Sequence, residues 1–404
     1  MSANPEIVIV GGARTAMAEY VGTKGFGLFK DVGANDLGAR AIEAALLRAK
    51  VPAARVEHVV MGNAEQTAGD ALYGARHAAL KAGIPIESPA LTVNRICGSG
   101  IQSIVSASQM MMLGEASVAV AGGMENMSQA PHVVRGAREG FRLGQKIEFE
   151  DMLMVALLDP FCGFYMAQTA ENLAKKMGIS RQAQDEYALR SHDLGSKAVQ
   201  AGLFAEEIVP VKVKRGREEI MVDRDDHIKP DTTLEKLAKL PPAFGKEGTV
   251  TAGNASGIVD GGAAVVLATA EEARKSGLEV QAVVRAWGIA GVPPEIMGIG
   301  PVPAIRQVLE RSGLGLDRID LIEINEAFSA QYLACEKELG LDRNRVNVNG
   351  GAVALGHPLG ATGTRLVITL VRELRRRNKR YGIASACIGG GQGIALLVEN
   401  PKAA

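Results

Sequence analysis

The chain carries one α/β pattern twice, and a long charged stretch interrupts the first copy. VEHVVMGNAEQ (56–66) has the same shape as IDLIEINEAFSAQ (319–331). After the first come LTVNRICGSG, a helical-period segment and SVAVAGG; after the second come VNVNGGAVALGHPLG, another helical-period segment and YGIASACIGGG. Each copy reads as strand, Gly-rich turn, helix, strand, a unit that buries its apolar faces only by layering against another. The expectation is an α/β fold of two similar halves, with ligands gathering beyond strand ends where helix N-termini point.

The interruption, from about 128 to 250, is charged, carries several prolines and has few β-branched runs. It predicts a helical, partly exposed insertion. Within it Ser180 reads as an N-cap and Gly202 as a stop, with Tyr187, Leu194 and Ala198 on one helical face.

Composition narrows the function classes. With 404 residues, 47% apolar and 22% charged, this is an ordinary packed chain. Lys+Arg 45 against Asp+Glu 45 leaves no net field to attract nucleic acid or an anionic membrane, and no apolar run approaches the ~20 residues of a membrane span. Aromatics are 4% while glycines number 48, which predicts a core of small side chains with close backbone approaches. Cys97, Cys162, Cys335 and Cys387 form no CxxC pair, so reduced thiols inside a cell are expected. The expected compartment is the cytoplasm, with the mitochondrial matrix as the alternative. No His/Cys/Asp/Glu group has metal-ligand spacing, and the sequence implies no metal. The basic run RELRRRNKR (372–380) reads as a solvated helix end, and Met110 to Met112 read as core filling.

Three turns carry candidate chemistry. Cys97 lies where an apolar strand meets a helix, among Gly98, Ser99 and Gly100. A helix N-terminus there is expected to lower the thiol pKa, and small neighbours admit a substrate. A buried inert cysteine is the plainer alternative, but the elbow favours a nucleophile. His357 sits in a Gly-rich turn with Pro358 after it, placed to accept a thiol proton. The other five histidines lie in segments without such a turn. Cys387 follows a third strand, ahead of Gly389, Gly390 and Gly391. It could move a proton on and off carbon while the Gly389 N–H donates to an oxyanion. IGGGQG lacks the Lys and Ser/Thr of a phosphate loop. Asn325 beside Glu326 could place a water or a carbonyl, or could simply cap a helix.

VNRICGSG, GGMENMSQAP, TVTAGNASG, MGIGPVPA, NEAFSAQY, NVNGGAVALGHPLGATG and SACIGGGQG, in this order from about residue 6 to 398, resemble the thiolases. The likeness is greatest to the 3-ketoacyl-CoA thiolases, with acetoacetyl-CoA thiolases next. It implies the five-layered αβαβα thiolase fold: a first half from 1–127 and 259–278, an inserted loop domain at 128–258 and a second half at 279–404. It also implies CoA-dependent cleavage of a 3-ketoacyl-CoA, or the reverse condensation. CoA and acyl-CoA are then substrates, no cofactor is needed, and the assembly is a homotetramer or homodimer. By motif, Cys97 would be the acylated nucleophile and His357 its activator. Asn325 would hold an oxyanion-hole water, Cys387 would be the acid/base, and the N–H groups of Cys97 and Gly389 a second oxyanion hole. Ser256 would meet the pantetheine, with Ala252, Met166, Met297 and Phe328 along its slot and Lys229 near the nucleotide.

Departures from the family pattern are RTA at 14–16 for the usual RTP, GIVDGGA after TAGNAS, and Tyr165 where acetoacetyl-CoA thiolases place a His. Cys162 has no implied role. The rival readings are a ketoacyl synthase, which Cys387 opposes, a non-catalytic CoA- or lipid-binding relative, and a Cys hydrolase.

Overall fold

The computed structural model describes residues 5–245 and 247–403. Its spine is a mixed sheet whose order, across from one edge, is Leu321–Ile324, Tyr381–Ile388, Gln392–Glu399, Ala282–Gly291, Ile7–Arg14, Val259–Thr269, Val118–Glu125, His58–Gly62 and Ala90–Val93. The short strand Ala18–Glu19 pairs off this path with Val259–Thr269. The first four strands come from the second half and the rest from the first. Within the sheet the halves are joined by the pairing of Val8↔Val283 and Ile9↔Ala282.

Period-two patterning puts different side chains on the two faces of each strand. Ala119 and Ala121 join one core, while Val118 and Val120 join another. In the second half, Ile394, Leu396 and Val398 share the first of these cores, and Ala395 and Leu397 enter a third. The shared core contains Ile101, Ile104 and Val105 of the Ser99–Met112 helix, and Leu366, Val367 and Leu370 of the Leu359–Arg376 helix. Those two helices are the middle layer. The helices Ala34–Ala49 and Gly74–Lys81 cover one outer face, and Pro301–Ser312 and Ser329–Leu339 cover the other, giving five layers.

The middle helices approach at backbone distance, which is what positions the site. A Cβ on Gly100 would lie 2.5 Å from the Thr364 nitrogen, and one on Gly363 would lie 2.4 Å from the Ile101 nitrogen. Only glycine permits that approach, and it brings together the helix starts that follow Cys97 and His357.

Among the described residues, no strand between 128 and 258 enters the large sheet. Ser180 does cap the Arg181–Gln200 helix, accepting from the Ala183 N–H at 3.1 Å, and Gly202 has φ +73°. Tyr187 and Ala198 are buried, and Leu194 is half-buried. The helical reading of the insertion is corrected in part: Val211–Arg215 and Glu218–Val222 form an antiparallel hairpin. Its high charge masked the alternation, in which Val211, Val213 and Val222 face a core and the lysines face solvent. A second difference concerns VNVN at 346–349, which forms only isolated bridges, Ile322↔Val346 and Val348↔Gly350, where the first half has a full strand at 90–93. The basic helix end is solvated and ion-paired, with Arg372 and Arg376 on Glu206, and Arg377 on Glu373 at 2.7 Å.

Candidate active site

Cys97 sits in a one-turn 3-10 segment, Ile96–Gly98, between the strand Ala90–Val93 and the helix Ser99–Met112. The preceding Ile96 has φ 46°, a costly conformation for a β-branched residue. Local bonds hold it there: Asn94 Oδ1 accepts the Ile96 N–H at 2.9 Å, and Ser99 Oγ accepts the Arg95 N–H at 2.8 Å. Arg95 Nη1 donates to Gln392 Oε1 at 2.7 Å, tying this elbow to the glycine turn after Cys387.

The N–H groups of Gly389 and of Cys97 itself point at the Cys97 sulfur. They do not make it acidic. Burial pushes the thiol up to about 12, with Glu125 adding to the rise, and the two N–H groups recover only part. The expectation of a lowered pKa is thus corrected, because desolvation outweighs the helix terminus at a residue only 7% exposed.

His357 follows Gly356, whose φ is +88°, and precedes the Leu359–Arg376 helix. Its N–H donates to the Gly257 carbonyl at 2.9 Å. Nδ1 lies 2.6 Å from Thr362 Oγ1, and Nε2 lies 3.3 Å from Asn325 Nδ2. Burial, with Arg365 nearby, drops its pKa to about 3, so the ring is neutral.

Asn325 ends the strand Leu321–Ile324, and its N–H donates to Ser385 at 2.9 Å. Its Oδ1 is buried with no partner among the described residues. Glu326 is committed elsewhere, accepting from Tyr187 Oη (2.6 Å), Ser191 Oγ (2.7 Å), Asn347 Nδ2 (2.9 Å) and the Val353 N–H (3.1 Å). It therefore does not share a water or carbonyl with Asn325, as the sequence allowed. Cys387 is fully buried, and burial, then Cys97, then Cys335 push its pKa well up.

A mostly apolar cavity of about 170 Å³ opens onto His357. Its lining includes His357, Ser256, Met166 and Phe328, with Tyr165 and Phe244. Tyr165 and Phe244 stack at 5.2 Å. Met297 is buried behind, packed with Cys387, Met166 and Phe328, and the Ser256 N–H donates to Ala327 at 3.0 Å. Two expected contacts are not brought here: Ala252 and Lys229 are both exposed and outside the cavity lining. Cys162 lies in a surface turn near Asp159. Among the described residues no group of three or more His, Cys, Asp or Glu could hold a metal, and no helix is long and apolar enough to cross a membrane.

Two partners of the site escaped the sequence. Thr362, at the ring of His357, stands five residues along in a Gly-rich helix start and reads as an ordinary helical residue. His227, set aside with the other histidines, lies under the cavity wall. A Cβ on Gly257 would be 2.6 Å from its ring, and its Nδ1 is 2.8 Å from Glu19 Oε2. No local pattern links it to Glu19, which is distant in sequence.

Comparison with known proteins agrees over the whole chain. The family profile "Thiolase, N-terminal domain" matches residues 7–271, and "Thiolase, C-terminal domain" matches 278–400. Human mitochondrial 3-ketoacyl-CoA thiolase is 49% identical over 394 residues, 98% of each chain. An acetyl-CoA acetyltransferase of Cupriavidus necator is 46% identical over 395 residues, covering 98% of this chain and 99% of the other. The crystal structure of the human enzyme in complex with CoA superposes with a TM-score of 0.94 at 49% identity, covering 98% of both chains.

Proposed function

The chain belongs to the thiolase family, and from that premise we propose that it is an acetyl-CoA C-acyltransferase acting through an acyl-Cys97 intermediate. The carrying observation is one cavity lined by a neutral His357, whose Nε2 lies 3.3 Å from Asn325 Nδ2, with two buried thiols packed on its wall: Cys97 against Met127 and Leu359, and Cys387 against Met166 and Phe328. A hydrolase needs no second thiol, and a non-catalytic relative needs neither.

In the cleavage direction, Nε2 of His357 takes the Cys97 proton as the sulfur attacks the 3-keto carbon. The Nε2–H and an Asn325-held water then stabilise the oxyanion. Collapse breaks the bond between carbons 2 and 3, the electron pair goes to the acetyl-CoA enolate, and Cys387 protonates its carbon. The thiol of a second CoA then gives its proton to the Cys387 thiolate as its sulfur attacks acyl-Cys97, the Cys97 sulfur leaves and recovers its proton from His357, and the N–H groups of Cys97 and Gly389 form the oxyanion hole for a thioester oxygen. Condensation runs the same steps backwards. A thiol held far above neutral releases its proton only when a base and a substrate arrive together. That suits the raised pKa values of both cysteines, because an isolated thiolate would be open to oxidation.

The pantetheine arm fits the apolar cavity at Ser256, Met166 and Phe328, with Met297 supporting the reacting end from behind. Lys229 and Ala252, outside the cavity, are left for the nucleotide end. CoA is a substrate here, and these residues call for no cofactor. The assembly is a homotetramer or homodimer, supported by exposed Phe141, Leu143, Ile147 and Phe149 on one segment. Four free cysteines fit a reducing compartment, cytoplasm or mitochondrial matrix.

The test is CoA-dependent loss of 3-ketoacyl-CoA enolate absorbance over short to long acyl chains, for wild type and Cys97→Ala. Cleavage of several chain lengths that vanishes in the variant supports the acyltransferase. Activity confined to acetoacetyl-CoA makes the protein an acetyl-CoA acetyltransferase, and no cleavage at any length refutes the enzyme reading.

A further inference from the structure

We infer that Thr362 is a positioning residue that fixes which ring nitrogen of His357 carries the proton, an inference that rests on the thiolase reading above. A threonine hydroxyl has one hydrogen to give and lone pairs to receive. Thr362 Oγ1 lies 3.2 Å from the Pro358 carbonyl, to which it can only donate, and 2.6 Å from His357 Nδ1. With its hydrogen committed to Pro358, the hydroxyl offers Nδ1 a lone pair, so Nδ1 carries the hydrogen. The other side of the ring agrees independently. In the orientation found, the Asn325 amide nitrogen lies 3.3 Å from Nε2 and, as a donor, faces a lone pair there. One proton arrangement satisfies all three contacts.

The consequence is chemical. A ring this buried is neutral and must choose a tautomer, and only the one with Nδ1–H leaves Nε2 free to act as base. When Nε2 accepts the proton from Cys97, the S–H bond breaks, its electron pair stays on sulfur to bond the acyl carbon, and a new N–H bond forms. The cationic ring already has Nδ1–H anchored on Thr362, so it does not turn, and Nε2–H stays aimed at the reacting oxygen. A carboxylate in the same place would fix the same tautomer but would hold the ring charged between turnovers. A hydroxyl orients it without doing so. Thr362 itself is fully buried at the start of the Leu359–Arg376 helix, which leaves no room for solvent to take its place.

Thr362→Val keeps the shape and removes the hydroxyl, and Thr362→Ser restores it. Thiolysis kcat and KM across pH are measured for both beside wild type, with thermal unfolding as the folding control. The expected result is a loss of about 10- to 100-fold in kcat for Thr362→Val at unchanged KM, the range for losing a hydrogen bond to a charged group, with recovery in Thr362→Ser. Wild-type kcat in Thr362→Val, or equal impairment in Thr362→Ser, overturns the inference. A second readout does not depend on the Thr362 variants folding or on activity. Long-range 1H–15N spectra of 15N-histidine-labelled wild type, assigned by the signal lost in His357→Gln, should show a neutral ring protonated at Nδ1, and protonation at Nε2 overturns the inference. Absence of CoA-dependent cleavage in wild type would instead sink the thiolase reading, leaving the tautomer result to be judged by itself.

Discussion

Replacing Glu326 by Gln removes one charge and swaps one acceptor for a donor, and the surrounding bonds allow the cost to be worked out. Oε1 receives Tyr187 Oη and Asn347 Nδ2; Oε2 receives Ser191 Oγ and the Val353 N–H. A glutamine has one oxygen, so its NH2 must face one of these pairs. Turned to Ser191 and Val353, it can donate to the hydroxyl but meets the Val353 N–H head-on. Turned to Tyr187 and Asn347, it can donate to the phenol but opposes an amide, which keeps its bond to the Ile324 carbonyl at 2.9 Å. The second orientation is the milder. Even there one hydrogen bond to a carboxylate is lost and one buried donor loses a partner, together about 2–5 kcal/mol. That is a large share of the 5–15 kcal/mol typical of a domain. Apparent Tm at fixed scan rate should fall clearly for Glu326→Gln, and by less for Tyr187→Phe, which loses one bond to a carboxylate worth about 1.5–3 kcal/mol and a longer one from Asn347. Because Glu326 clamps the segments carrying Asn325 and His357, kcat should fall with Tm in Glu326→Gln. A Glu326→Gln protein with wild-type Tm and kcat would refute the clamp.

Glu65 is a buried carboxyl with neither oxygen partnered among the described residues, and burial beside Glu125 raises its pKa from 4.5 to about 8. The folded chain holds that proton more tightly than the unfolded one, so its contribution to stability is complete below the unfolded value and is lost as pH climbs towards the folded one. Glu65→Gln should therefore raise Tm at pH 8, with a gain of about 4 kcal/mol in stability, and leave it unchanged at pH 4; equal gains at both would show the effect is not ionic. Alkylation of Cys97 by iodoacetamide, taken as the difference between wild type and Cys97→Ala, should climb without a plateau from pH 6 to 9, since burial pushes that thiol up to about 12. A plateau near neutrality would mean that the helix terminus outweighs burial. Gly123→Ala would put a Cβ 1.8 Å from the Gly360 carbonyl and push the His357-bearing helix away, at a cost of about 3 kcal/mol. Gly69→Ala, with nothing within 4 Å, should be silent, and equal Tm values for the two would count against the close packing.

Much of the architecture was legible because its signals are short-range. Small residues between an apolar strand and a helical-period run mark the Cys97 elbow, Ser180 marks a helix start, and the repeat marks the two layered halves. Misreadings arose where two local signals competed. In VKVKRGREEIMV the charge argued for an exposed helix while the alternation of Val211 and Val213 argued for a strand; pairing with Glu218–Val222 decided for the hairpin. At VNVN the apolar alternation read as a strand, but Asn347, at φ 48°, is turned to serve Ile324 and Glu326.

Sequence alone determined most of the elements, the order of the halves and the turns at or beside which Cys97, His357 and Cys387 stand, because periodicity and turn chemistry act over a few residues. Only the tertiary structure decided the partnerships: Gly389 N–H on Cys97, Asn325 on one side of His357 and Thr362 on the other, and Tyr187 on Glu326. Apart from Thr362, these join residues far apart in the chain, for which no local pattern exists. The same holds for the pKa of Cys97. A helix start can be read from residues 94 to 100, but the desolvation that overrides it comes from layers packed on every side, and burial is a property of the whole fold.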